Sequence, residues 1–236
     1  MPTAAIVTIG NELVSGDVEN TNASWLARRL EALGVHVRLV AAVPDEIDLV
    51  ARLVRDAAAA ETYVLVTGGL GGTPDDVTRE AIAAAFGVAQ APVPELAEEL
   101  RARFHRDPEY AARWADLPAG SRVIANPLGG APGFAVENVY VLPGLPSEME
   151  GMFELLADQL AGAPPIGSWR RTYRTRESDI VRVLVELGER WPEVLVGSYP
   201  TFGPGGPHVE VVLKSSDEEA LGSAAAWAAA ALSGLE

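Results

Sequence analysis

The first half of the chain alternates two hydrophobic rhythms. Short apolar runs rich in β-branched residues occupy Thr3–Ile9, Val35–Val43 and Tyr63–Thr67. Between them apolar residues recur at helical spacing, first Trp25, Leu26, Leu30 and Leu33, then Ile47, Val50, Leu53, Val54 and Ala57. Unbroken apolar strands separated by amphipathic helices are the pattern of a parallel sheet covered on both faces, so the chain is predicted to open βαβαβ. A helix is predicted from about Pro74 to Phe86, with Val77, Ala81, Ile82 and Phe86 on one face, and a second over Glu95–His105, with a short mixed segment over 107–120. Ser121–Ala125 and Ala135–Leu142 read as strands, the latter turning back as a hairpin at Glu137 and Asn138. A helix over Pro146–Leu160 closes the domain.

Gly162, Pro164, Pro165 and Gly167 cannot continue a helix, so Ala161–Gly167 marks a boundary. Beyond it the rhythm changes to strand (Trp169–Thr175), helix (Ser178–Leu187), strands (Val194–Ser198 and His208–Leu213) and helix (Asp217–Leu232). The predicted fold class is α/β: a three-layer domain with a mostly parallel sheet over residues 1–163, then a small α+β domain over 168–236.

Composition narrows the chemistry. With no cysteine, disulfides, thiolate catalysis and Cys-type zinc sites are excluded, and any metal must use oxygen or imidazole ligands. His36, His105 and His208 are scattered without metal spacing. A net charge of -15 argues against a general nucleic-acid binder, although Arg170, Arg171, Arg174 and Arg176 form a local basic run. Lys214 is the only lysine. This Arg-over-Lys, acid-rich balance suits a salt-adapted protein, and equally an ordinary acidic bacterial one. No signal peptide and no apolar stretch of membrane length is evident, so a soluble, cytoplasmic protein is expected.

The strongest site signal is the segment Gly68, Gly69, Leu70, Gly71, Gly72, Thr73, Pro74, Asp75, Asp76. It leaves a buried strand and enters a helix, with Thr73 predicted as the N-cap and Pro74 as the first helical residue. Glycines let backbone amides approach an anion, the helix N-terminus favours negative charge, and strand carboxyl ends are where open α/β sheets bind ligands. The loop is neither a Walker A sequence nor the GxGxxG of dinucleotide folds. Asp75 and Asp76 beside a phosphate loop suit a divalent cation; as the alternative, they merely complement the helix dipole.

A second candidate joins Gly10, Asn11, Glu12, Ser15 and Gly16 to Asn20, Thr21 and Asn22, on a strand end expected beside the Gly68 loop. Asn22 either caps a helix over Ala23–Leu33 or contacts ribose or phosphate. Two Gly/Pro turns, Gly129, Gly130, Ala131, Pro132, Gly133 and Pro143, Gly144, complete the set, with Asp45 opening the helix after the second strand.

These segments resemble the amino-terminal part of the competence/damage-inducible CinA family, built on the MoaB/Mog molybdopterin-binding fold. The match runs through Gly10-Asn11-Glu12-Leu13, Asn20-Thr21-Asn22, Thr67–Gly71, Thr73–Glu80, Ala131-Pro132-Gly133-Phe134 and Leu142–Pro146. The second domain resembles that family's KH-type module through Arg174–Ser178 and Gly197–Pro200. Departures are Asn11 where many relatives carry Asp, Gly72 in place of Pro, and Gly130 in place of Thr. Longer relatives continue into an amidase domain, so deamidase activity is not expected.

The resemblance implies a nucleotide pyrophosphatase dependent on Mg²⁺, Mn²⁺ or Co²⁺, splitting ADP-ribose into AMP and ribose 5-phosphate. In that reading Asp75 and Asp76 hold metal, while Glu12 or Asp45 orients water. The first alternative is molybdopterin binding in molybdenum-cofactor biosynthesis, by adenylylation or metal insertion; the second is a non-catalytic nucleotide-binding regulatory module. A homodimer or trimer is the assembly the resemblance implies.

Overall fold

The structure, a computed structural model, describes residues 1–162 and 164–235. The chain divides into two compact units, Met1–Ala163 and Pro164–Glu236. Among the described residues no helix is long and apolar enough to cross a membrane.

In the first unit, β1 (Thr3–Ile9), α1 (Asn11–Ser15), α2 (Thr21–Ala32), β2 (His36–Val43), α3 (Ile47–Ala60) and β3 (Tyr63–Thr67) realise the βαβαβ opening. Then follow α4 (Thr78–Phe86), β4 (Gln90–Pro92), α5 (Pro94–Arg103), α6 (Pro108–Ala112), β5 (Asp116–Pro118), β6 (Arg122–Ile124), β7 (Gly133–Val136), β8 (Val139–Leu142), α7 (Pro146–Glu154) and α8 (Ala157–Leu160). A six-stranded sheet runs β2-β1-β3-β8-β7-β6, parallel through β8 and antiparallel beyond. The mixed α/β fold with a largely parallel central sheet is the one expected.

Alternation along β1 explains its apolar run from Ala4 to Val7. Ala4 and Ile6 pack on one face with Leu26 and Leu30 of α2 and Met149, Met152 and Phe153 of α7. Ala5, Val7 and Ile9 pack on the other with Val50 and Val54 of α3 and Ala81 and Ile82 of α4. Both faces are covered, so the one buried polar residue of the strand, Thr8, has its hydroxyl satisfied by Asn20 and the Ala41 carbonyl. The chain leaves β1 toward one face and β3 toward the other. That makes the carboxyl ends of these neighbours a topological switch point, with Thr8 paired to Thr67 at its floor.

The second unit holds β9 (Gly167–Tyr173), α9 (Glu177–Arg190), β10 (Leu195–Gly203), β11 (Gly206–Ser215) and α10 (Glu218–Ala231), with an antiparallel sheet in the order β10-β11-β9. Tyr173, Ile180, Leu187, Val211 and Ala224 share its core. The last hairpin is longer than predicted because Pro200 lies on the edge strand, where a missing N–H is tolerated.

Other expectations need correction. The helix predicted over Pro146–Leu160 breaks at Leu155 and Leu156, whose amides bond three residues back, to Met152 and Phe153. The helix predicted from Pro74 begins only at Thr78, and Thr73 is not its cap: Val77 holds that position with no side-chain cap. The helix predicted over Ala23–Leu33 starts at Thr21 and is capped by Asn20, whose Oδ1 accepts from the Ala23 amide at 3.2 Å, so Asn22 is not the cap.

Candidate functional site

The Gly68 loop is shaped by its own side chains. Gly68 has φ +108, and a Cβ there would lie 2.1 Å from the Ile9 carbonyl oxygen, so only glycine lets β3 turn this close to β1. Gly69 also has positive φ, and a Cβ on it would meet the Thr78 hydroxyl at 2.3 Å. That hydroxyl donates to the Gly68 carbonyl at 2.8 Å. Asp76 bends the segment back, its Oδ1 accepting from the Gly71 amide and its Oδ2 from the Thr73 amide, each at 2.8 Å, and from the Thr73 hydroxyl. This inward carboxylate is why the helix starts late: the residues expected to cap it are closing a loop instead.

Beneath the loop lies Arg79, 8% exposed, donating to the carbonyls of Leu70 at 2.8 Å and Gly71 at 2.6 Å. Burial lowers its pKa from the usual arginine value, while Asp76, Asp116, Glu80 and Tyr110 oppose that shift. The amides of Gly69, Leu70 and Gly72 make no hydrogen bond among the described residues. Gly69 and Leu70 border a cleft, where an unclaimed amide is a donor open to a ligand's acceptor.

Two clefts meet at Gly69 and Gly144. The first, about 180 Å³, is lined by Thr8, Glu12, Asn20, Thr21, Asn22, Thr67, Gly68, Gly69 and Gly144 among others. Asn22 spans its floor, Nδ2 donating to the Gly144 carbonyl at 2.8 Å and to Thr67 Oγ1 at 3.3 Å, while its Oδ1 is buried without a partner among the described residues. Thr67 donates in turn to the Pro143 carbonyl at 2.6 Å. Asn20 ties α2 to β1 through Thr8 Oγ1 at 2.8 Å. The second cleft, about 320 Å³, is lined by Leu70, Gly71, Asp76, Trp114, Gly130, Ala131, Pro143, Leu145 and Glu148 together with the shared glycines.

Asn11 and Asp45 form a reciprocal pair at the loop's edge: the Asn11 amide donates to Asp45 Oδ2 at 2.8 Å, and the Asp45 amide to Asn11 Oδ1 at 3.4 Å. Burial raises the Asp45 carboxyl above its ordinary range, the Asn11 amide pulls it back, and the charges of Glu12, Asp75 and Asp76 push it up again.

The structure therefore gathers Glu12, Asn22, Gly68, Gly69, Leu70, Gly71, Asp76, Gly130, Ala131, Pro143 and Gly144 around the two clefts. Gly72, Thr73 and Asp75 line neither cleft: Thr73 and Asp75 are exposed, and Gly72 lies against the Tyr110 ring. Ser15 and Gly16 line neither cleft: Ser15 bonds Asp17 at 2.7 Å, and Gly16 ends α1 in the left-handed conformation. Gly129 has φ +83 in its turn, Pro132 borders a smaller cavity under Arg103, and Gly133 is a strand residue whose Cβ would strike the Val141 carbonyl at 2.4 Å. Sequence reasoning passed over Thr8, Thr67, Arg79, Trp114 and Glu148. Thr67, Arg79 and Glu148 stood within the glycine-led segments without a role of their own, whereas Trp114 lies in a stretch without readable rhythm.

The expected metal site fits poorly. Asp76 spends both oxygens on its own loop, and among the described residues no group of three His, Asp or Glu could hold an ion. No step is derived through a cation.

A sheet switch point, a glycine turn with unclaimed amides and a helix start meet at one cleft of an α/β domain, the arrangement in which open α/β sheets hold anionic ligands. Residues 5–162 match the family described as the probable molybdopterin binding domain, and the chain belongs to that family. Residues 172–235 match the middle domain of FAD synthase, so the KH likeness of the second unit gains no support. A protein of Archaeoglobus fulgidus is 37% identical over 91% of this chain and 91% of its own length. A CinA-like protein of Frankia casuarinae is 40% identical over 79% of this chain, and one of Parasynechococcus marenigrum 35% identical over 98%; the matches span 48% and 56% of those two proteins. Among solved structures, protein CinA of unknown function from Thermoplasma acidophilum aligns with TM-score 0.63 and 30% identity, over 68% of this chain and 99% of that one.

Proposed function

We propose that the first unit binds a phosphorylated pterin of the molybdopterin type, with the phosphate seated between the Gly68–Gly69 turn and the first turn of α2. The observation that carries this is the unclaimed Gly69 amide on a turn locked by Thr78, Asp76 and Arg79, at a cleft that also receives the start of a 12-residue helix. Locked donors bind an anion without first ordering the loop. The helix start adds its partial positive charge. Membership of a family described by molybdopterin binding supports the same ligand class.

Hydrolysis of ADP-ribose has less support. It calls for a cation that the carboxylates do not preassemble, and Asp76 is occupied within its loop. The test is a calorimetric titration with 6-hydroxymethylpterin phosphate, alongside incubation with ADP-ribose and Mg²⁺, Mn²⁺ or Co²⁺. Saturable pterin-phosphate binding without AMP release is the expected result. AMP release with turnover, and no pterin binding, would replace this reading by the hydrolytic one.

A further inference from the structure

We propose that the second cleft is a ring-binding subsite in which Glu148 selects a heterocycle carrying two adjacent N–H donors. The inference rests on the reading above and specifies which residue recognises the ring that accompanies the phosphate.

The two acids of this cleft differ. Asp76 is saturated by its own loop, whereas the half-buried Glu148 carboxylate makes no hydrogen bond or ion pair among the described residues. Glu148 lies against Gly130 so closely that a Cβ there would sit 2.2 Å from its Oε1. The missing side chain is therefore what admits the carboxylate. A carboxylate partly stripped of water and given no donor is stabilised by any ligand that brings one.

The cleft is also lined by Trp114, braced edge-on by Phe104 at 5.0 Å and Tyr110 at 5.9 Å, with Leu70, Ala131 and Leu145 adding apolar surface. An aromatic wall and a lone carboxylate suit a flat ring with a polar edge. A carboxylate takes two parallel N–H donors, as it does from arginine. The 2-amino-4-oxo edge shared by pterins and guanine offers a ring N–H beside an exocyclic amine. Adenine offers its amine beside a ring-nitrogen lone pair, which would face a carboxylate oxygen and repel it.

The experiment compares GMP and AMP by calorimetry on the full chain, since they share the sugar and phosphate and differ in the base edge. GMP should bind at least about 10-fold more tightly. Glu148→Gln should bring the ratio toward unity. Gly130→Ala, which displaces the carboxylate without removing its charge, should do the same, and thermal melts show whether each variant is folded. Equal affinities in the unsubstituted chain, or a preference that survives Glu148→Gln, overturn the ring assignment and leave the phosphate reading standing. Failure of both nucleotides and of 6-hydroxymethylpterin phosphate to bind overturns both.

Discussion

The carboxylate of Asp76 receives the backbone amide of Gly71 at 2.8 Å, five residues back along the chain. An acid that would complement a helix start is turned inward to fix a loop. Asp76→Ala should therefore cost about 1–3 kcal/mol of stability, because the Gly71 and Thr73 amides lose their acceptor. Chemical denaturation of the variant measures it. A loss below about 0.3 kcal/mol would show that the loop holds its shape without Asp76.

Gly68 and Gly87 both have positive φ, but a Cβ at Gly87 meets nothing within 4 Å, whereas one at Gly68 lies 2.1 Å from the Ile9 oxygen. Gly87→Ala should cost about 1 kcal/mol, the strain of a left-handed alanine. Gly68→Ala should cost more than about 3 kcal/mol, since β1 and β3 must also part. Equal melting temperatures for the two variants would refute the close approach.

Asp45 supplies a pH dependence. Its folded carboxyl is raised above the ordinary 3.8, mainly by burial. A raised carboxyl favours the protonated form in the fold, so the stability it contributes is complete below about pH 4 and lost as pH rises through the folded pKa. Asp45→Asn keeps an acceptor for the Asn11 amide and removes the charge. It should stabilise the protein at neutral pH by about 0.5 kcal/mol or less, screened as Asp45 is, with the gain vanishing in acid. A gain that instead grows in acid would contradict this assignment.

Gly72 and Tyr110 should couple. A Cβ on Gly72 would fall 2.5 Å from Tyr110 Cζ, so the ring occupies the space that any side chain at position 72 would fill. Gly72→Ala alone should destabilise the protein, and adding Tyr110→Ala should recover part of that loss. The coupling energy in the double-mutant cycle should exceed about 0.5 kcal/mol. Strict additivity would mean that the ring moves aside freely.

Metal alone should not stabilise the protein. With Asp76 engaged and no three-ligand group among the described residues, Mn²⁺ without ligand should leave the melting temperature unchanged. A saturable shift at micromolar Mn²⁺ would restore the paired-aspartate site.

Much of this was legible in the chain. The apolar runs of β1 and β3 announce strands buried on both faces, and the glycines between Gly68 and Gly72 announce the loop at their end. The late start of α4 was not legible, because Asp76 can cap a helix or accept from Gly71 and only tertiary contacts decide. Asn20 and Asn22 pose the same problem: both suit a helix start, and the cap goes to the residue whose Nδ2 can also reach Thr8. Trp114 was hidden because its place in the second cleft depends on α5 and α6 packing around Phe104 and Tyr110, a long-range arrangement without a periodic signature.

The central claim is that the cleft reads a phosphate attached to a pterin. The most direct measurement titrates the chain with 6-hydroxymethylpterin and with its phosphate under identical salt. The phosphate form should bind at least about tenfold more tightly, a difference of about 1.4 kcal/mol. Equal affinities, or no binding of either, would contradict the account.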